Sequence, residues 1–240
     1  KEILTREVKK VPTLRGKTIM TLFLEPSTRT RVSFETAGKM LSADVINLSS
    51  NDSSIEKGES FLDTILTLQA TGADVLVLRH ADSGAPYFAA RNLSCVSVIN
   101  AGDGSHAHPT QALLDLYTIK KELETNKKSI DGLRIALVGD LKFGRAVHSL
   151  SKILSLYKNV TINLISPKEL RLPNSYISLL KDSGVTIKES ENLEEGIAGV
   201  DIIYMTRIQE ERFKNKYGRR SCSKMPHCYQ RHQLPPAGSV

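Results

Sequence analysis

Residues 27–35 read Ser-Thr-Arg-Thr-Arg-Val-Ser-Phe-Glu and follow an apolar run, residues 19–24, and a breaker, Pro26. A strand feeding a hydroxyl-rich turn that opens a helix aims unpaired backbone amides at one point. The hydroxyls of Ser27, Thr28 and Thr30 and the guanidinium groups of Arg29 and Arg31 crowd into that turn. An N-cap accounts for one hydroxyl. It leaves unexplained two cations in a first helical turn, where the dipole disfavours positive charge unless an anion is bound. The spacing therefore predicts an anion site, with phosphate the best-matched ligand.

Polar residues also gather after other apolar runs. Arg79-His80 closes the run 75–78, and the turn Asn100-Ala101-Gly102-Asp103-Gly104 and then His108-Pro109-Thr110-Gln111 follow the run 96–99. Pro109 suits the first position of a helix, so His108 stands at a helix N-terminus. The positive dipole end favours a neutral imidazole able to donate to a carbonyl oxygen, and a capping or surface histidine is the alternative. Residues 139–146, Gly-Asp-Leu-Lys-Phe-Gly-Arg-Ala, nearly match a P-loop. Arg145 stands where lysine is needed and Ala146 where the Mg²⁺-binding hydroxyl belongs, which excludes nucleoside triphosphate binding there. What remains is an arginine opening a helix, fitted to a carboxylate through two parallel hydrogen bonds. Thr206-Arg207-Ile208-Gln209 repeats the arrangement further on. Singly, each arginine reads as a surface ion pair. Arg29, Arg79, Arg145 and Arg207 all fall at strand-to-helix transitions, which points to ligands carrying several negative charges.

Strand-length apolar runs alternate with helical patterns along the chain. Residues 19–24, 45–48, 75–78 and 96–99 are nearly continuous in apolar character, as buried parallel strands should be. Helices are expected from Thr28, with Phe34, Ala37 and Leu41 on one face, near Ser60, around Pro86, and over 109–123 with Ala112, Leu116, Ile119 and Leu123 on one face. Polar residues 122–131 mark a boundary, after which 135–138, 160–165, 185–187 and 202–205 read as strands and Val147, Leu150, Leu154 and Tyr157 as a helical face. The pattern predicts an α/β protein of two doubly wound domains with mostly parallel sheets, residues 1–123 and 124–216. Open sheets of this kind bind ligands at the carboxyl ends of their strands, so the active site is expected in the cleft between the domains.

Composition narrows the partners. The 240 residues are 40% apolar, enough for a sizeable core, and carry a net charge of +7. With no Trp, 5% aromatics and dispersed basic residues, small anions are favoured over nucleic acid. No stretch has the length of a membrane span and none reads as a signal peptide, so a cytoplasmic location is expected. Cys95, Cys222 and Cys228 are too few and too unevenly spaced for a disulfide framework. Cys222, His227, Cys228 and His232 invite a zinc reading, but adjacent His227 and Cys228 fit structural-site spacing poorly, and no metal is expected.

Residues 23–35, the loop with Lys57-Gly58-Glu59, and residues 77–80, 100–116, 138–149 and 204–209 together resemble the catalytic chain of the aspartate carbamoyltransferases. The Ser-Thr-Arg-Thr-Arg stretch is shared with ornithine carbamoyltransferases, whereas His-Pro-Thr-Gln at 108–111 and Met-Thr-Arg-Ile-Gln at 205–209 resemble the aspartate branch. The resemblance implies transfer of the carbamoyl group of carbamoyl phosphate to the amine of L-aspartate, a step of pyrimidine biosynthesis, without metal, cofactor or covalent intermediate. It implies phosphate binding by Ser27, Thr28, Arg29 and Thr30, and polarisation of the carbamoyl oxygen by Thr30, Arg79 and His108. Gln111 would hold the carbamoyl nitrogen, while Lys57, Arg145, Arg207 and Gln209 would take the aspartate carboxylates. It further implies a homotrimer in which Lys57 acts in the neighbouring subunit's site, and it leaves open whether a regulatory subunit is a further partner.

From about Tyr217 the chain loses both helical and strand periodicity and departs from the family pattern, so residues 217–240 are expected to be an unstructured tail. The chain as written is expected to have little activity, because the family's His-Pro-Leu-Pro stretch and final helix have no counterpart in it. Two rivals stand beside the aspartate reading. An ornithine-type enzyme would meet unpaired like charge at Arg207 and Lys57, and a catalytically silent protein would bind carbamoyl phosphate without turnover.

Overall fold

The computed structural model describes residue 3 and residues 6–49 and 58–208. Strands and helices alternate as β1 Thr18–Phe23, α1 Thr28–Met40, β2 Asp44–Ser49, α2 Phe61–Ala70, β3 Val75–His80, α3 Ala85–Asn92, β4 Ser97–Asp103 and α4 Pro109–Thr125. They continue as β5 Arg134–Val138, α5 Arg145–Leu154, β6 Thr161–Ile165, α6 Asn174–Asp182, β7 Thr186–Ser190, α7 Leu193–Ile197 and β8 Ile202–Met205. The strands form two four-stranded sheets, β2-β1-β3-β4 and β7-β6-β5-β8, and every pairing is parallel. The α/β reading with parallel sheets is the observed architecture.

In each sheet the chain leaves a central strand to one side and later returns on the other. β1 passes to β2, and the chain then comes back to lay β3 against the free side of β1. β5 passes to β6 and β7, and the chain comes back to lay β8 beside β5. Connections that leave in opposite directions open a gap at the carboxyl ends of the strand pair, the place where doubly wound sheets bind ligands. The gaps thus lie at β1/β3 and at β5/β8.

Alternation along the strands feeds two cores per sheet. Met20, Leu22, Leu76 and Leu78 pack with Ile65 of α2 and Ala89 of α3 on one face, while Ile19, Phe23 and Val77 pack with Phe34 of α1 on the other. In the second sheet Ile135, Leu137, Ile162 and Leu164 join Val147, Leu150 and Leu154 of α5, and Ala136, Val138 and Ile165 form the opposite layer. The expected apolar faces of α4 and α5 are therefore the buried ones. Those of α1 and β2 differ. Gly38, not Ala37, is the buried residue of α1, since its missing side chain lets the helix settle against Val45 and Ile19. β2 is an edge strand with Ile46 exposed, so its apolar run is only partly covered.

Residues 100–103, expected to turn, instead extend β4, which regains its pairing through a register shift between Leu78 and His80. The compact units divide at Thr110/Gln111, whereas the sequence boundary lay at 123/124. The difference is the length of α4, whose buried face, Ala112, Ile119 and Leu123, belongs to the second unit's core.

Asp201 fastens the start of the β5/β8 pair: its carboxylate accepts the Arg134 backbone N–H at 2.9 Å and the Lys128 ammonium, and its own N–H donates to the Arg134 carbonyl at 2.7 Å. The lysine hydrogen bond first, then the backbone N–H and the Lys128 and Arg134 charges, hold this carboxyl below its ordinary range against the opposing effect of burial. A lowered folded-state value stabilises the fold above the unfolded carboxyl value of about 4, and that stability is lost as pH falls through the folded value. Asp201→Asn is therefore expected to lower urea stability at pH 7, by no more than about 1 kcal/mol because Lys128 is solvent-screened. The gap from wild type should close as the urea midpoints are followed toward pH 3. A gap of equal size at both pH values would contradict this account.

Candidate active site

The first gap collects the residues after β1, β3 and β4. Ser27 takes extended backbone as the N-cap of α1, yet its side chain makes no capping hydrogen bond. The hydroxyl that the capping explanation would have used is thus turned to no helix amide, and the first turn, residues 28–30, presents its N–H groups without that cap. Thr28 and Arg29 are exposed and Thr30 half-buried, so the turn faces outward as an anion cradle must.

Arg79, the penultimate residue of β3, is only 8% exposed. Its Nη2 lies 3.0 Å from the Glu25 carboxylate, and its Nη1 lies 3.4 Å from the Ala101 carbonyl and 3.5 Å from His108 Nε2. A guanidinium only donates, so His108 Nε2 can only accept there, and its proton sits on Nδ1, which is 3.4 Å from Thr110 Oγ1. Such a contact is open only to a neutral imidazole, the form that a helix start favours. In this geometry, however, Arg79, and not His108 Nε2, carries the proton between them. Gly102 packs against the guanidinium, with a φ of +135° and room for a Cβ only 3.1 Å from Nη1. The β1 and β3 ends are tied by the Leu24 N–H to the Arg79 carbonyl at 2.9 Å.

Asp103, fully buried at the end of β4, holds the loops around this gap. It accepts the Gly84 N–H at 2.6 Å and pairs with His106 Nδ1 at 2.8 Å. His80, adjacent to Arg79 in sequence, braces the loop that follows, since its Nδ1 accepts the Asp82 N–H and its ring meets Phe61 edge to face.

The second gap is built at the ends of β5 and β8. Gly139 has a φ of +112°, and a Cβ there would lie 2.4 Å from the Thr206 carbonyl, so only glycine lets the two strand ends approach. Thr206 Oγ1 accepts the Asp140 N–H at 3.0 Å, and the Thr206 N–H reaches the Val138 carbonyl at 2.8 Å. Asp140, fully buried, accepts the N–H groups of Lys142 and Phe143 and so shapes the loop that delivers Arg145. Arg145 opens α5 and is 9% exposed, and Arg207, exposed, follows β8. His148 closes the loop from the helix side by donating Nε2–H to the Leu141 carbonyl at 2.9 Å.

Gln111, on the first turn of α4, donates Nε2–H to Asp115 at 2.9 Å, and Tyr204 of β8 donates its hydroxyl to the same carboxylate at 2.8 Å. Lys57 and Gln209 lie outside the described residues, as do the tail residues Cys222, His227, Cys228 and His232. Sequence reasoning missed Glu25, Asp103, Asp115, Asp140 and Tyr204. Their only signal was position, at or beside a strand end or one helical turn from a candidate.

Among the described residues no helix is long and apolar enough to cross a membrane. Residues 1–121 match the family model of the aspartate/ornithine carbamoyltransferase carbamoyl-phosphate binding domain, and residues 131–232 that of the Asp/Orn binding domain. The chain is 51% identical to an aspartate carbamoyltransferase catalytic subunit of Magnetococcus marinus, covering 88% of this chain and 62% of that relative. It is 46% identical to one of Roseiflexus, covering 98% of this chain and 76% of the relative. It thus spans less than two thirds of the length of the Magnetococcus protein. The catalytic subunit of the Methanocaldococcus jannaschii aspartate transcarbamoylase superposes with a TM-score of 0.79 at 48% identity, covering 92% of this chain and 70% of that one. The Trypanosoma cruzi enzyme in complex with carbamoyl phosphate and aspartate does so with a TM-score of 0.78 at 40% identity, covering 86% of this chain and 64% of that one. The chain belongs to the aspartate/ornithine carbamoyltransferase family.

Proposed function

We propose that this chain transfers the carbamoyl group of carbamoyl phosphate to the amine of L-aspartate, giving N-carbamoyl-L-aspartate and phosphate. The observation that carries the reading is the buried Arg79, held between Glu25 at 3.0 Å and His108 at 3.5 Å beside the uncapped start of α1. A cation so placed serves an oxygen that becomes negative during reaction, and the helix start next to it serves a phosphate.

In this scheme the phosphate lies on Ser27, Thr28, Arg29 and Thr30. The carbamoyl oxygen faces Arg79, His108 and Thr30, and the carbamoyl nitrogen faces Gln111. Arg145 and Arg207 take the two carboxylates of aspartate, joined by Lys57 and Gln209. The unprotonated amine attacks the carbonyl carbon, a C–N bond forms, and the C=O electron pair moves onto oxygen, where Arg79 stabilises it. Collapse breaks the bond to the phosphate oxygen, and the proton of the attacking nitrogen leaves with the phosphate. Positioning and charge stabilisation supply the rate, and positioning alone is worth up to about 7 to 11 kcal/mol. The same reading includes a homotrimer with Lys57 serving the neighbouring subunit, a cytoplasmic setting, and a regulatory chain as a partner class.

The second substrate decides the branch. Two cationic side chains at adjacent strand ends suit a dicarboxylate and oppose the side-chain ammonium of ornithine. Calorimetry in the presence of phosphate should therefore find N-carbamoyl-L-aspartate bound at least about tenfold more tightly than citrulline. Preference for citrulline would make the chain an ornithine-type transferase, and carbamoyl phosphate binding with neither product held would make it a binding protein.

The two gaps should also separate by ligand. Arg29→Ala is expected to weaken carbamoyl phosphate and leave aspartate little changed, whereas Arg207→Ala should chiefly raise the aspartate requirement, each by on the order of 2 to 4 kcal/mol. Equal effects of both substitutions on both ligands would defeat the assignment.

A further inference from the structure

Gln111 would be a poor reader of a carbamoyl group if its side-chain amide were free to turn. Rotation by half a turn about the last side-chain bond exchanges its oxygen for its NH₂, and an NH₂ facing the carbamoyl NH₂ sets donor against donor. Asp115 removes that freedom. It lies one helical turn along α4, and its Oδ1 receives Gln111 Nε2–H at 2.9 Å. Since a carboxylate offers only acceptors, the NH₂ end of Gln111 must be the end turned toward it, and Oε1 is left as the outward acceptor.

An i,i+4 Gln-to-Asp hydrogen bond on an open helix is a weak and mobile contact. This one is anchored. Tyr204, on β8, donates its hydroxyl to Asp115 Oδ2 at 2.8 Å, so both carboxylate oxygens are engaged and the carboxylate plane is fixed. Burial, followed by the charge and hydrogen bond of Asp115, pushes the Tyr204 hydroxyl above its ordinary range, which keeps it a donor throughout the working pH range. Tyr204 also packs against the second unit's core, and Asp115 is half-buried.

We infer that Asp115, seated by Tyr204, is a positioning residue that fixes the Gln111 amide with its oxygen outward and thereby selects an NH₂-bearing donor over its methyl isostere. The inference rests on the carbamoyl phosphate reading of the Gln111 site and deepens it. A hydrogen bond from the ligand's NH₂ to a fixed carbonyl is available to a carbamoyl group and not to an acetyl group of nearly the same shape.

Two stable probes differ in that group alone: phosphonoacetamide, which carries the NH₂, and acetonylphosphonate, which carries a methyl in its place. Titration calorimetry on the 240-residue chain should give wild type about a tenfold preference for phosphonoacetamide. Asp115→Ala should reduce the ratio to about twofold or less, with the loss falling on phosphonoacetamide. Asp115→Asn, whose amide oxygen still accepts from Gln111 Nε2, should restore most of it. Tyr204→Phe should lower the ratio about threefold, and it decides the question should Asp115→Ala fail to fold. A wild-type ratio near one overturns the carbamoyl donor reading and this inference with it. A tenfold wild-type ratio that Asp115→Ala, or Tyr204→Phe in its stead, leaves intact overturns the role of Asp115 alone.

Discussion

A parallel sheet that reverses its winding leaves two neighbouring strand ends with no connection crossing between them. Nearly everything chemical in this chain follows from that constraint. At β1/β3 the gap admits the start of α1 from one strand and Arg79 from the other, and at β5/β8 it admits the Arg145 loop and Arg207. A strand end is rigid, held by its ladder, while the residues just beyond it have open backbone amides and freedom to curve. Sites built there combine precise placement with available polar groups. Both sheets use the device, each with its own pair of strands, and both offer positive charge at it.

The two gaps solve the problem of collecting cations differently. The first relies on backbone: an N-terminal turn with no side-chain cap on it, supplemented by a single buried guanidinium. Burying that guanidinium costs several kcal/mol of desolvation unless its hydrogens are met. Glu25, the Ala101 carbonyl and His108 meet those of Nη1 and Nη2, and Gly102 gives the room. The second gap relies on side chains. Its backbone work goes into shaping the loop, through Asp140 beneath Lys142 and Phe143, Thr206 against Asp140, and glycine at 139 where no Cβ fits. A backbone cradle suits the tetrahedral oxygens of a phosphate, and a pair of forked guanidinium groups suits planar carboxylates.

Much of this was legible in the sequence because it follows from local rules. Apolar runs marked each of the eight strands of the described residues, most plainly the central ones, since a strand covered on both faces cannot alternate. The faces of α4 and α5 followed from their spacing. Hydroxyls and arginines after strands named the gaps because the polar-after-apolar pattern is itself the gap. What stayed hidden depends on residues far apart in sequence. Glu25 and Arg79 are 54 residues apart and Tyr204 and Asp115 are 89 apart, and no periodicity records such a meeting. The end of β4 was misread for a related reason: Asn-Ala-Gly-Asp has turn composition, but pairing with β3 beyond a register shift keeps it extended. Gly38 was passed over because a missing side chain leaves no apolar mark, although its absence is what seats α1.

Four of the five site residues that were missed share a chemical character. Glu25, Asp103, Asp115 and Asp140 are acids, and each engages a donor on a loop, strand end or side chain at a candidate site. A site that must attract anions cannot afford many carboxylates facing the ligand. Carboxylates set beside a cation or beneath the loops do the opposite of competing, because they fix the donors' directions, as Glu25 does for Arg79 in the first unit and Asp140 for the Lys142 and Phe143 amides in the second. The same placement explains why a chain of net charge +7 keeps fully buried aspartates at Asp103 and Asp140. Their oxygens are occupied by backbone N–H groups and a histidine, so they stay buried without unmet hydrogen bonds. The acids shape the loops and strand ends, and even where a sequence motif contains one, as at Asp103 and Asp140, its partners do not show until the chain is folded.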